Sequence, residues 1–88
     1  SEAEVWLNYG TALLRLERHQ QAREALEQAL LLAFQTTATN RTPQLKVTPG
    51  VLQQIRINLS VAATRTGDLE AATEQLMDAW RQNPQSFD

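Results

Sequence analysis

The sequence predicts an all-α fold of two antiparallel helix pairs joined by a long inserted segment. Three observations carry this. The 88 residues are dominated by alanine, leucine, glutamine, glutamate and arginine, which favour helix. Apolar residues recur at three-and-four spacing in four separate stretches. A shift of fifty residues then superimposes the chain on itself: Asn8 on Asn58, Ala12 on Ala62, Arg15 on Arg65, Ala22 on Ala72, Glu24 on Glu74, Leu26 on Leu76 and Ala29 on Ala79. One shift without a gap marks an internal repeat.

The first helix is read from Trp6, Tyr9, Gly10, Leu13 and Leu16, and the second from Ala22, Leu26, Ala29, Leu30 and Phe34. Thr48-Pro49 opens the third, because threonine caps and proline suits the first turn. That helix continues through Val51, Leu52, Ile55, Leu59 and Ala62 or Ala63. Gly67 supplies a left-handed stop and Asp68 caps the fourth helix. Leu69, Ala72, Leu76, Ala79 and Trp80 form its apolar side, and it ends near Asn83-Pro84. Trp80 and Phe87 read as core residues, because aromatic side chains bury large areas. Between the pairs, the threonine-rich stretch from Gln35 to Val47 keeps no period. It reads either as a surface insertion or as a second helix that runs on through Thr36-Thr37-Ala38 before breaking.

Composition excludes several classes. The net charge of −2 lacks the basic face that a general nucleic-acid binder needs. Without cysteine there is no disulfide framework and no thiolate nucleophile. The apolar run Ala29 to Phe34 is too short to span a bilayer. His19 stands alone, the acids Glu17, Glu24, Glu27, Glu70, Glu74 and Asp78 are scattered, and no phosphate loop, metal spacing or cofactor motif appears. Arg23 and Glu27 should pair along one helix face, whereas Glu74 and Asp78 should repel mildly. The expectation is no enzyme, no metal and no cofactor. Opening at Ser1 instead of methionine is what removal of a signal or upstream domain would leave, so the compartment stays open. Asn40-Arg41-Thr42 and Asn58-Leu59-Ser60 match the glycosylation tripeptide, a weak pattern, and the second falls mid-helix.

The spaced residues Trp6, Gly10, Ala22, Leu26 and Ala29, counted from Ala3, resemble the tetratricopeptide repeat, a thirty-four-residue unit of two antiparallel helices. Tyr9 takes that unit's apolar seventh position. In a second unit, Gly67-Asp68-Leu69-Glu70-Ala71-Ala72 looks like the turn between helices, followed by Leu76, Ala79 and Pro84. The chain departs from the pattern at Glu17, which replaces a turn glycine, at Arg56, which replaces the first tryptophan, and at Ser60, which replaces the helix-crossing glycine. The resemblance implies an α-solenoid piece with right-handed superhelical twist, divided as a first pair at 3–35, an insertion at 36–48, a second pair at 49–84 and a tail at 85–88. Close helix crossing explains the small residues, with Gly10 expected to meet Ala22.

Family members take extended peptides in a groove lined by the first helix of each pair. Carried over, that groove comprises Leu7, Asn8, Thr11 and Arg15 from the first unit, flanked by Glu4 and Leu14. The second unit supplies Gln54, Ile57, Asn58, Val61 and Arg65, with Thr64 alongside. Amides donate to and accept from a peptide backbone, and arginines fork onto carboxylates. Leu7 and Thr11 stand where chaperone-tail clamps of the family carry lysine and asparagine, so that specialised role is not expected even though Asn58 matches. The implied partner is a protein or extended peptide, with no nucleic acid and no membrane insertion. Repeat arrays need about three units to cover their cores. Two units therefore imply either a piece of a longer array or self-association over an exposed apolar face. The alternative role is a regulatory or oligomerisation domain within a larger, possibly enzymatic, polypeptide.

Overall fold

In a computed structural model, which describes residues 1–35 and 44–82, the chain forms four helices in two packed pairs. Ser1 caps α1 (Glu2–Arg15), its hydroxyl accepting from the Glu4 amide at 3.3 Å. Helix α2 (His19–Ala33) turns back against it. Thr48 caps α3 (Pro49–Arg65) through the Val51 amide at 3.2 Å, with Pro49 in the first turn as expected. Helix α4 (Leu69–Gln82) completes the second pair, and α3 lies against α2.

Both interhelix turns close identically. Arg18 donates its amide to the Leu13 carbonyl at 2.9 Å and Glu17 to Leu14 at 3.0 Å. Fifty residues on, Asp68 donates to Ala63 at 2.8 Å and Gly67 to Thr64 at 3.1 Å. This is the paired bonding of a left-handed C-terminal stop. It demands positive φ, which Gly67 adopts at 89° and Glu17 at 60°. Glutamate thus accepts at the first turn a left-handed conformation that glycine adopts freely at the second, at the cost of a side chain in that region, and the turn keeps the same shape.

The core runs through Ala3, Leu7, Leu13, Ala22, Ala25, Leu26, Ala29, Ala33, Leu52, Ile55, Leu59 and Ala62. On α1 the buried face is thus Ala3-Leu7-Gly10-Leu13. Trp6 and Tyr9, expected on that face, turn outward and meet edge to face at 5.9 Å. Gly10 packs against Leu26: a Cβ there would stand 2.6 Å from Leu26 Cγ. Trp80 is also no core residue, being 47% exposed. Phe87 lies outside the described residues.

Helix α2 stops at Ala33. Phe34 is extended, and Phe34–Gln35 pairs antiparallel with Gln44–Leu45 in a two-stranded ladder, Phe34 opposite Leu45. The reading in which α2 continues into the insertion is therefore overturned at its first step. Lys46 adds an amide bond to the Ala33 carbonyl at 2.7 Å, while Phe34, Val47 and Val51 pack on the core. The two pairs are also clasped at the surface. The Arg23 guanidinium donates to Thr66 Oγ1 at 3.3 Å and to Asp68 at 2.8 Å, and its Nε lies 3.5 Å from Glu27. Asp78 finds cations in Arg56 and Arg81, at 3.3 and 3.2 Å, so its place near Glu74 is compensated.

Candidate partner-binding site

The residues expected to line one groove fall into three environments. Leu7 is 8% exposed and sits in the core, beneath the surface instead of on it. Asn8 and Arg15 are exposed on α1, as are Gln54 and Arg65 on α3. Thr11 and Asn58 are half-buried where α1 meets α3.

That meeting point is a polar seam. Asn58 Nδ2 donates to Thr11 Oγ1 at 2.9 Å, Gln54 Nε2 donates to Asn58 Oδ1 at 2.9 Å, and the Thr11 hydroxyl donates to the Leu7 carbonyl at 2.8 Å. The two asparagines of the repeat are thus inequivalent. Asn58 holds the helix pairs together, whereas Asn8 makes no side-chain hydrogen bond among the described residues. Arg15 and Arg65 sit in the last turns of their helices, where a cation complements the helix dipole, and neither forms an ion pair among the described residues.

Ile57, Val61 and Arg65 belong to a second feature. With Ser60, Thr64 and Leu76 they line an open groove of about 670 Å³ between α3 and α4. Val61 is 40% and Leu76 42% exposed, and Met77 and Trp80 lie further along α4 with about half their surface open. Ser60 and Leu76 were not expected in a site. The signal was present in the fifty-residue shift: Leu76 is the counterpart of Leu26, and Ser60 of Gly10. What the sequence did not show is that α3 covers Leu26 while nothing among the described residues covers Leu76.

The Ala71 amide, donating at 3.0 Å, and then the Arg23 guanidinium hold the Asp68 carboxyl below its usual range; desolvation opposes them more weakly. His19 is half-buried, with Nδ1 enclosed and without a hydrogen-bond partner among the described residues. Among the described residues no group of acids and histidine stands ready to hold a metal ion, and no helix is long and apolar enough to cross a membrane.

Two antiparallel helix pairs with matching turns, stacked through α2 and α3, define the class of all-helical repeat proteins. Residues 3–35, the stretch that forms the first helix pair, match the family model for the tetratricopeptide repeat. No curated protein and no solved structure matches the chain. Tetratricopeptide repeats generally mediate protein–protein interaction and are typically not enzymes.

Proposed function

We propose that this chain is a protein-interaction scaffold that takes a partner protein or extended peptide along the face shared by α1 and α3. The observation that supports this is the polar seam with its exposed flanks. Thr11, Asn58 and Gln54 fix the two first helices side by side, which leaves Asn8 and the free carbonyl of the exposed Gln54 amide to meet a peptide backbone and Arg15 and Arg65 to meet carboxylates. Ile57 and Val61 add apolar contact at the α3 end, and Leu7 supports the face from below. Nothing in this reading requires catalysis or a cofactor.

The test is affinity capture with the intact chain and an Asn8→Ala, Arg15→Ala variant. Both side chains are exposed and unpaired, so the variant keeps its fold; Asn58→Ala would not separate binding from stability, because Asn58 bridges the pairs. A partner held by the parent and lost by the variant supports the reading, and equal capture by both refutes it for this face.

A second reading, a regulatory or oligomerisation domain of a larger polypeptide, draws on the exposed apolar residues at the two ends of the stack. Val5 and Tyr9 lie at one end, Leu76 and Trp80 at the other. Under it, capture from lysate finds nothing and the same variants change only the behaviour of the larger protein.

A further inference from the structure

The groove between α3 and α4 is not an arbitrary hollow. Moved back by fifty residues, its lining Ile57, Ser60, Val61, Thr64, Arg65 and Leu76 becomes Leu7, Gly10, Thr11, Leu14, Arg15 and Leu26. Leu7 and Leu26 share one buried cluster with Ile55 and Leu59 of α3. The open groove therefore repeats a surface that, one unit earlier, is covered by a helix.

The helix that fits is already in the chain. α3 buries Leu52, Ile55, Leu59 and Ala62 in that cluster, and their counterparts on α1 are Glu2, Val5, Tyr9 and Ala12. Apart from Glu2, at the start of the helix, these keep the apolar character and the spacing, yet Val5 is 65% and Tyr9 54% exposed. One end of the molecule carries the knobs and the other end the seat.

We propose that two copies of this chain associate head to tail, α1 of one docking in the α3–α4 groove of the next, so that the contact continues the internal packing of α3 on the first pair. The polar clasps do not carry over. Asn8 would face Val61 where Asn58 meets Thr11, and Arg18 would face Thr73 where Asp68 meets Arg23. Apolar burial alone holds the copies, so the association is weaker than the internal contact and nearly insensitive to salt. Because the two surfaces differ, the contact is heterologous and does not close on itself at two copies. The seat shares Ile57, Val61 and Arg65 with the face proposed for a partner, so a second copy and a bound partner exclude each other there. Self-association of the purified chain is read with no partner present, so a failed capture experiment leaves it intact.

Sedimentation equilibrium on the 88-residue chain tests it, with Tyr9→Glu and Val61→Glu as the knob and seat variants. Both positions are exposed, circular dichroism checks the fold, and Tyr9→Gln with Val61→Thr is the milder pair if either unfolds. The parent's average mass should climb past its 9.9 kDa monomer and past the dimer as concentration rises, at low and high salt alike. Each variant alone should stay monomeric, and an equal mixture of the two should stop at a dimer, because only one productive face remains on each. A parent that remains monomeric to ~1 mM overturns the proposal. So do single variants that still associate, and so does a mixture that fails to dimerise, which would indicate a two-fold contact. A monomeric parent that instead binds an unrelated amphipathic helix in the groove would give the seat to a different occupant.

Discussion

Adding one methyl group at Gly10 probes the close approach of α1 and α2. In Gly10→Ala the new carbon would stand 2.6 Å from Leu26 Cγ and 2.8 Å from Cδ2, where carbon atoms prefer about 3.5–4.0 Å. Leu26 is fully buried, and the contact involves its branch point, so rotating a flexible tip does not relieve it. Overpacking of this kind costs about 1–3 kcal/mol. Replacing glycine by alanine inside a helix returns about 1 kcal/mol. The net expectation is a loss of about 1 kcal/mol in urea unfolding followed by circular dichroism. A double-mutant cycle isolates the clash. Leu26→Ala alone should cost about 2–5 kcal/mol, but it leaves room beside position 10. In that background Gly10→Ala should stabilise by about 1 kcal/mol, for a coupling of about 2 kcal/mol. If Leu26→Ala leaves too little folded protein, an excluded osmolyte such as sucrose restores a measurable baseline. The reasoning fails if Gly10→Ala stabilises the parent chain, or if its effect is the same in both backgrounds.

Three further outcomes follow from the turns and caps. Glu17→Gly should stabilise by about 0.5–1 kcal/mol, because the left-handed turn then carries no side-chain penalty, while Gly67→Ala should destabilise by about 1 kcal/mol; paired thermal melts decide both. Asp68 has a depressed folded pKa, so its contribution is present above its unfolded value, about pH 4, and is lost as pH falls through the folded one. The stability gap between parent and Asp68→Asn should accordingly narrow on acidification, and a gap independent of pH would remove Asp68 from the acid response. Thr48→Ala deletes the α3 cap and should cost about 1 kcal/mol by denaturant titration, with Thr48→Ser largely restoring it.

The helical architecture was legible because its signals are local. Thr48-Pro49, Gly67-Asp68 and the apolar spacing announce ends and faces without reference to the rest of the chain. The fifty-residue shift also exposed the common plan of the two pairs. What escaped was set by neighbours. Leu7 and Trp6 are adjacent on α1, yet Leu7 turns into the core and Trp6 away from it, and only the placement of α2 decides which apolar stripe is covered. Gly10 finds Leu26 because two helices cross there, a contact no spacing rule specifies. Trp80 was read inward from its size, but burial requires something to be buried against. The asparagine row looked uniform in sequence and divides in space, because Asn58 has Thr11 within reach. The two-residue ladder was invisible for a plainer reason, as pairs this short leave no alternating pattern to read.

That ladder separates the spacing of the chain from the spacing of the solid. Phe34 opposite Leu45, followed by the Lys46 amide on Ala33, brings the insertion back to the point from which it left. The second pair therefore docks as though the insertion were a short connection, whatever its length. A chain pinned at both ends loses only about 0.6 kcal/mol for each doubling of the loop between them. Because Phe34, Leu45 and Lys46 fix where the chain leaves and returns, lengthening the connection between Gln35 and Gln44 should cost no more than that closure entropy, and α2 and α3 should keep their mutual seat.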